Sequence, residues 1–299
     1  MEARGDSFEF DHTISHGDVD FVGELKVAAL LGLLEQAAIE ASAQLGFDTD
    51  WYGEQGGYWI VRRTRLVRHV ALGGHDRVRV RTWVDDFRRA RSLRRYEIGI
   101  VGQTEPAITA STDWVFCDAA SGRPRRVPKE METAFAGAAG SLPALPRAAP
   151  LPLSNAAAMK TMTRRVCASH LDHVAHVNNG VWASFLEDGA EALLAGHGWS
   201  VPEMLAHGGA FRLQGLDLEY LAQGLPGDTL AVHSAFADAP PPRAGNGAER
   251  TSFDLHQSVE KPDATTAMRA TSHWQWLQRA DVLGRPPTRP KRRSSARAT

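Results

Sequence analysis

Between Ser169 and Asp188 the chain reads SHLDHVAHVNNGVWASFLED. From Asp172 to Asn179 this stretch gathers an acid (Asp172), an acid–base group (His176) and two amides (Asn178, Asn179). Val181, Trp182, Phe185, Leu186, Ala190, Leu193 and Leu194 then follow at helical spacing, so the polar cluster sits on a loop entering a buried helix. At such an entry, backbone N–H groups point outward and stabilise developing negative charge. A base beside an oxyanion site is what attack of water on an activated acyl carbon requires. Asp172 is the candidate general base or nucleophile, since partial burial would raise its basicity. His176 is the candidate that orients water or bonds the carbonyl oxygen. N–H groups near Asn179 and Gly180 are the candidate oxyanion donors, and Trp182 lines the binding side.

Each of these residues has a plainer reading. Asp172 could cap a turn, and Asn178 and Asn179 could shape the turn and cap the helix, as such residues commonly do. His170, His173 and His176 fall at three-residue steps, but only Asp172 accompanies them and no cysteine pattern does, so neither metal nor another cofactor is expected. Glu35, Glu187 and Asp188 lie in helical stretches, where a buried or interface bond is the plainer role.

Composition narrows the class. A 299-residue chain with 43% hydrophobic residues has room for two cores. Two cysteines, Cys117 and Cys167, suit a reducing compartment. The N-terminus lacks an apolar signal core and no apolar run is long enough to span a bilayer, so a soluble cytoplasmic protein is expected. The net charge of −1 conceals an uneven distribution. Twelve arginines face three aspartates between Trp59 and Arg95, eight basic face fourteen acidic residues from Arg164 to Asp281, and the tail from Val282 carries six basic residues and no acid. Arg88, Arg89, Arg91, Arg94 and Arg95 read equally as a dock for an acidic carrier or coenzyme A phosphates and as a solvated surface. No nucleic-acid recognition pattern accompanies the charge.

The elements that hold the loop occur twice. A strand over Phe8–Ser15, a helix over about Lys26–Leu45, and strands over Tyr58–Val70, Arg77–Val84, Arg94–Val101 and Ile108–Cys117 give an α+β pattern. The second half repeats it at an offset of 152: Asp20 matches Asp172, Glu35 matches Glu187, Trp59 matches Phe211 and Leu66 matches Leu218. Tyr96–Ile98 aligns with Phe253–Leu255 at 157, and Thr112–Trp114 with Ser272–Trp274 at 160. The drift fits an insertion over Pro240–Gly247. The boundaries follow: a domain over 8–135, an Ala/Pro-rich linker over 136–158, a second domain over 159–281 and a basic, disordered tail over 282–299. The first-half loop Asp20–Lys26 lacks the histidine and both asparagines.

The Asp172–Asn179 loop entering its helix resembles that of hotdog-fold thioesterases. With Trp59–Arg63, Arg81–Val84 and Trp114–Lys129, the tandem chain resembles the acyl-acyl-carrier-protein thioesterases over about residues 8–280. That resemblance implies two hotdog domains, each a long central helix wrapped by a curved antiparallel sheet, forming an intrachain pseudo-dimer. It implies catalysis in the second domain, acyl binding largely in the first, and a fatty-acyl thioester on acyl carrier protein, or on coenzyme A, as substrate. No membrane or nucleic-acid partner is implied, and a homodimer is compatible. Three positions depart from the plant-type pattern: Val174 stands for an asparagine, and Gln223 and Gly224 stand for a carboxylate and a cysteine. The rival readings are a hotdog hydratase, which carries a longer Asp-to-His spacing, and a non-catalytic acyl-binding protein.

Overall fold

The computed structural model describes residues 7–136, 159–172, 174–242 and 252–278. Nearly all of the linker, the basic tail, most of the Pro240–Gly247 insertion and His173 lie outside the described residues. The first unit comprises β1 (Phe8–Thr13), α1 (Val27–Gln44), α2 (Thr49–Gln55), β2 (Gly57–Arg68), β3 (Arg77–Arg88), β4 (Arg91–Ile100), β5 (Ile108–Asp118) and α3 (Lys129–Ala134). The second comprises β6 (Lys160–Arg165), α4 (Asn179–Ala195), α5 (Val201–Ala206), β7 (Gly209–Tyr220), β8 (Thr229–Phe236), β9 (Ser252–Glu260) and β10 (Thr266–Gln278). Elements β1, α1, α2 and β2 begin 152 residues before β6, α4, α5 and β7, as the repeat predicts.

Ten strands form one antiparallel sheet in the order β1-β3-β4-β5-β2-β7-β10-β9-β8-β6. The halves join where β2 pairs with β7, in a register that puts Arg65 opposite Asp217. These two are repeat equivalents, so the pseudo-twofold axis passes between them. Arg63 binds the Asp217 carboxylate through Nε and Nη2 at 2.6 and 2.7 Å, and Arg65 Nε lies 3.4 Å away. Arg62 reaches Glu219 at 3.5 Å. A basic strand thus meets an acidic one.

Strand register also corrects the later alignment. Arg94 pairs with Val84 and Thr112, whereas Leu255 pairs with Phe236 and Ser272. Val84 and Phe236 are 152 apart and Thr112 and Ser272 are 160 apart, so Arg94 corresponds to Leu255 at an offset of 161. The match of Tyr96 with Phe253 at 157 does not hold; Tyr96 corresponds to Gln257. The match of Trp114 with Trp274 stands.

Helices α1 and α4 bury Leu30, Leu34 and Ala37, and Phe185, Leu186 and Ala190, in one continuous core. Their apolar residues run almost all the way round because each helix is covered by the sheet and by its partner. The helices pack closely at Gly180, where a Cβ would lie 2.8 Å from the Ala28 carbonyl oxygen. Short helices α2, α3 and α5 were not expected from the sequence. Asp48 caps α2 by accepting from Trp51 N–H at 3.0 Å, and the Ser200/Glu203 pair starts α5. Gly180→Ala should cost about 1–3 kcal/mol by overpacking the helix crossing. Urea unfolding of that variant checks it.

Candidate active site

The two repeat-equivalent loops share a backbone design. Asp172 Oδ1 accepts from Val174 N–H at 3.0 Å and His176 N–H at 3.1 Å, while the Asp172 N–H donates to the His176 carbonyl at 2.9 Å. Asp20 Oδ1 accepts from Val22, Gly23 and Glu24 N–H at 2.8–3.1 Å. Both aspartates therefore organise tight turns, as the plainer reading expected. The turn places Ala175 at φ 61°, a left-handed conformation that Gly23 adopts at 94° in the other loop. Only glycine holds that conformation without strain, so the Asp172 loop is the strained copy.

The surroundings of the loops differ completely. In the first, Glu24 is fully buried and pairs with Arg68 at 2.8 Å. Arg212, from β7, reaches Asp20 at 2.5 Å, Glu187 at 3.3 Å and Glu24 at 3.7 Å. Burial alone would lower the Arg212 pKa, but Asp20, Glu187 and Glu24 outweigh it and raise it. Burial pushes the Glu187 carboxyl up against the pull of Arg212. Asp20 and Glu187 are thus held in an ion cluster around Arg212. Asp188 pairs with Arg164 at 2.8 Å.

Around the second loop each of those charged positions changes character: Glu24 becomes His176, Arg68 becomes Tyr220, and Arg212 becomes Ile60. All three line a cavity of about 760 Å³, together with Asp172, Asn179, Trp182, Gln223 and Glu35 of α1. Its deeper walls come from the first domain: Ser42, Tyr52, Trp59, Phe87, Arg94, Trp114, Met131 and Phe135. Asp172 and His176 are half-buried at this cavity. His176 meets Asp172 through its main-chain N–H. Exposed Ile39 and Val174 also line the space.

Asn178 is the N-cap of α4, its side chain accepting from Gly180 N–H at 2.8 Å. That engages the Gly180 amide and leaves Asn179, whose residue borders the cavity, as the candidate oxyanion donor. Gly180 is the helix-crossing residue rather than a lining one. Trp182 is buried yet borders the cavity. A Cβ at Gly224 would meet Val177 at 2.7 Å and Trp182 at 2.9 Å, so a side chain at that departure from the plant-type pattern is excluded by the Trp182 ring.

In the second domain aromatic rings occupy the positions equivalent to the cavity walls. Phe211, the counterpart of Trp59, packs against Trp199, Phe253 and Trp276 with ring centroids 5.1–5.3 Å apart. Trp274, the counterpart of Trp114, stacks on Phe253. Among the arginines read as a carrier dock, Arg94 and Arg95 are buried, and Arg95 pairs with Asp85 at 3.1 Å. Arg88, Arg89 and Arg91 remain exposed, with Arg88 beside Asp86 and Arg91 beside Asp113. His170 accepts from Cys167 N–H at 3.1 Å and rests on Phe185. Among the described residues no group of three His, Cys, Asp or Glu is arranged to hold a metal, and no helix is long and apolar enough to cross a membrane.

Sequence reasoning gave Glu35 a structural role, read Arg94 with the other arginines as a dock or a solvated surface, and missed Tyr220 and Arg212. A column-by-column comparison of the repeats exposes the last two, because Arg68 faces Tyr220 and Arg212 faces Ile60.

A central helix against an antiparallel sheet, duplicated in one chain with a loop-borne acid and histidine over a cavity, defines a tandem hotdog protein. Similar folds occur in an acyl-ACP thioesterase from Bacteroides thetaiotaomicron (15% identity, 90% of this chain and 98% of that one, TM-score 0.71). They occur also in a 12:0-ACP thioesterase from Umbellularia californica (17%, 91% and 98%, 0.68) and a protein provisionally assigned as an oleoyl thioesterase from Lactobacillus plantarum (18%, 92% and 98%, 0.74). Curated protein sequences give no significant match. Residues 5–135 match the family model described as the acyl-ACP thioesterase N-terminal domain.

The ion cluster yields a stability test. Arg212→Leu would leave Asp20 and Glu187 without their cation and Glu24 with Arg68 alone, so a loss of about 3–5 kcal/mol is expected. Denaturant unfolding measures it.

Proposed function

We propose that this chain is a thioesterase hydrolysing fatty-acyl thioesters, with acyl-[acyl-carrier-protein] preferred over acyl-coenzyme A. One observation carries the reading: the loop bearing Asp172 and His176 borders a cavity walled by the first domain, while the equivalent loop is tied into an ion cluster and the equivalent positions are packed with aromatic rings. The acyl chain lies in that space between α1 and the sheet, with its carbonyl at the mouth near Asn179. Asp172 Oδ1 is committed to the turn, so Oδ2 takes the proton from water as the water oxygen attacks the carbonyl carbon. His176 orients that water, and the amide of Asn179 at the start of α4 stabilises the oxyanion. The C–S bond then breaks, the thiolate takes up the proton and Asp172 is regenerated. Gln223, at the mouth, is a further polar contact for the water or the thioester.

Asp172→Asn keeps the oxygen that accepts both turn N–H groups but removes the base. It should lower kcat by at least about a hundredfold with KM little changed, read by thiol release from acyl-carrier and acyl-coenzyme A substrates. Asp20→Asn should instead lower stability, through its lost pairing with Arg212, and leave kcat within a few-fold. Equal, mild effects on kcat would move the chemistry to His176 or Glu35. Glu187 is not a candidate for that role, since it sits in the opposite ion cluster.

The carrier preference has its own test. If exposed Arg88, Arg89 and Arg91 meet an acidic carrier, their joint replacement by Glu should raise KM for acyl carrier protein at low salt. The difference should shrink as salt rises, because screening acts on exposed charges. Unchanged low-salt kinetics would assign these arginines to a solvated surface.

A further inference from the structure

The cavity contains a group that a plain hydrocarbon chain does not need. Arg94 is 5% exposed and borders the cavity wall. Its Nη1 donates to Thr82 Oγ1 at 3.3 Å, a long bond to a hydroxyl that itself donates to the Arg95 carbonyl at 2.8 Å. Its guanidinium lies over the Phe135 ring, 5.2 Å from the centroid. Among the described residues no carboxylate pairs with it; the titratable groups acting on it are Tyr52 and Tyr96, both neutral at ordinary pH because burial raises their pKa. Arginine remains charged in such a place. A buried, permanent cation without a protein anion is costly and calls for a compensating charge.

The duplication supplies the control. Leu255, the register equivalent of Arg94, is fully buried in the filled second domain. The sheet position therefore accommodates an apolar side chain, and the cation coincides with the one copy that is hollow. Its neighbours add polarity. Tyr52 hydroxyl accepts from Trp59 Nε1 at 3.2 Å and interacts with Ser42, and Ser92 also lines this end.

Position along α1 puts this end away from the chemistry. Glu35 lies beside Asn179, whereas Ser42 lies beside Tyr52. Seven residues of helix separate them, about 10 Å at the α-helical rise. Aromatic and aliphatic walls occupy the interval.

We propose that the Arg94 end of the cavity is an anion subsite and that the acyl group accepted here carries a carboxylate at its distal end: an ω-carboxyacyl thioester. This rests on the thioesterase reading for the fate of the thioester. The carboxylate supplies the missing counter-charge, the guanidinium offers it two parallel N–H donors, and Tyr52 and Ser42 flank it with hydroxyls. A chain ending in a methyl group would leave the cation unpaired on binding, which is how a polar subsite rejects an apolar analogue.

The test pairs equal-length thioesters of coenzyme A and of acyl carrier protein over a range of medium chains, for example octanoyl, ω-hydroxyoctanoyl and suberoyl. Full-length wild type and Arg94→Met are compared by thiol release. Wild type should favour suberoyl over octanoyl by about 10–100-fold in kcat/KM, and Arg94→Met should reverse that order. The same variant should melt at a higher temperature, since an apolar side chain replaces an uncompensated buried charge. A second arm needs no turnover. Monomethyl suberate should raise the melting temperature of wild type more than methyl octanoate does, and the difference should vanish in Arg94→Met. Preference for octanoyl or ω-hydroxyoctanoyl in the wild type, or an order unchanged by Arg94→Met, overturns the anion subsite. Absence of hydrolysis of every thioester, with the ester-binding difference intact, would overturn the thioesterase reading and leave the subsite standing.

Discussion

Everything in this molecule depends on β2 having a partner on both sides. One side of the strand is completed by β5 within its own repeat, and the other by β7 of the second repeat. That second pairing sets α1 against α4 and brings a loop of one domain to the wall of the other. Neither repeat contains a whole site. The Asp172 loop would lack its facing wall without α1 and β2, and the cavity of the first domain would lack the rim that Tyr220, Asn179 and Trp182 supply from β7 and α4. Arg65 and Asp217, facing each other across the pseudo-twofold axis, mark where a symmetric pairing has become polar and directional.

Duplication gives two loops and two potential acyl slots, and the chain has treated each pair oppositely. One loop is tied down by Arg212 and Arg68; its counterpart carries His176, with Tyr220 and Ile60 around it. One slot is packed by Trp199, Phe211, Phe253 and Trp276; the other is left open. The closed copies supply rigid packing and buried ionic anchoring. The open copy carries the left-handed Ala175 and a buried cation, features that weaken a fold unless a ligand uses them.

The duplicated architecture was legible because the same residue types recur at the same interval through the helix and the strands either side of it. The Asp172 loop was legible from its polar density before an apolar helix, and the cap formed by Asn178 was foreseen. Three things were not. The short helices depend on local caps and tertiary cover rather than on periodicity. The register of β4 against β9 was misread by four residues because similar side chains, Tyr96 and Phe253, outweighed the pairing geometry that only neighbouring strands reveal. The arginine run looked uniformly solvated, yet Arg94 and Arg95 are both buried, one toward the cavity and one against Asp85. Charge along a strand does not state which face is covered.

The arginines of β2 have a further meaning during synthesis. The first repeat leaves the ribosome well before β7 exists, because the pairing partners lie about 150 residues apart. Until then β2 is an unpaired sheet edge bearing Leu66 and the exposed Val67. Natural edges are guarded by charge, and Arg62, Arg63 and Arg65 place that guard along the waiting strand. Two nascent copies would present like charges to one another and repel. The acidic strand carrying Asp217 and Glu219 answers the same charges with attraction. A seam of opposite sign thus selects pairing within one chain over pairing between chains, before any substrate is met.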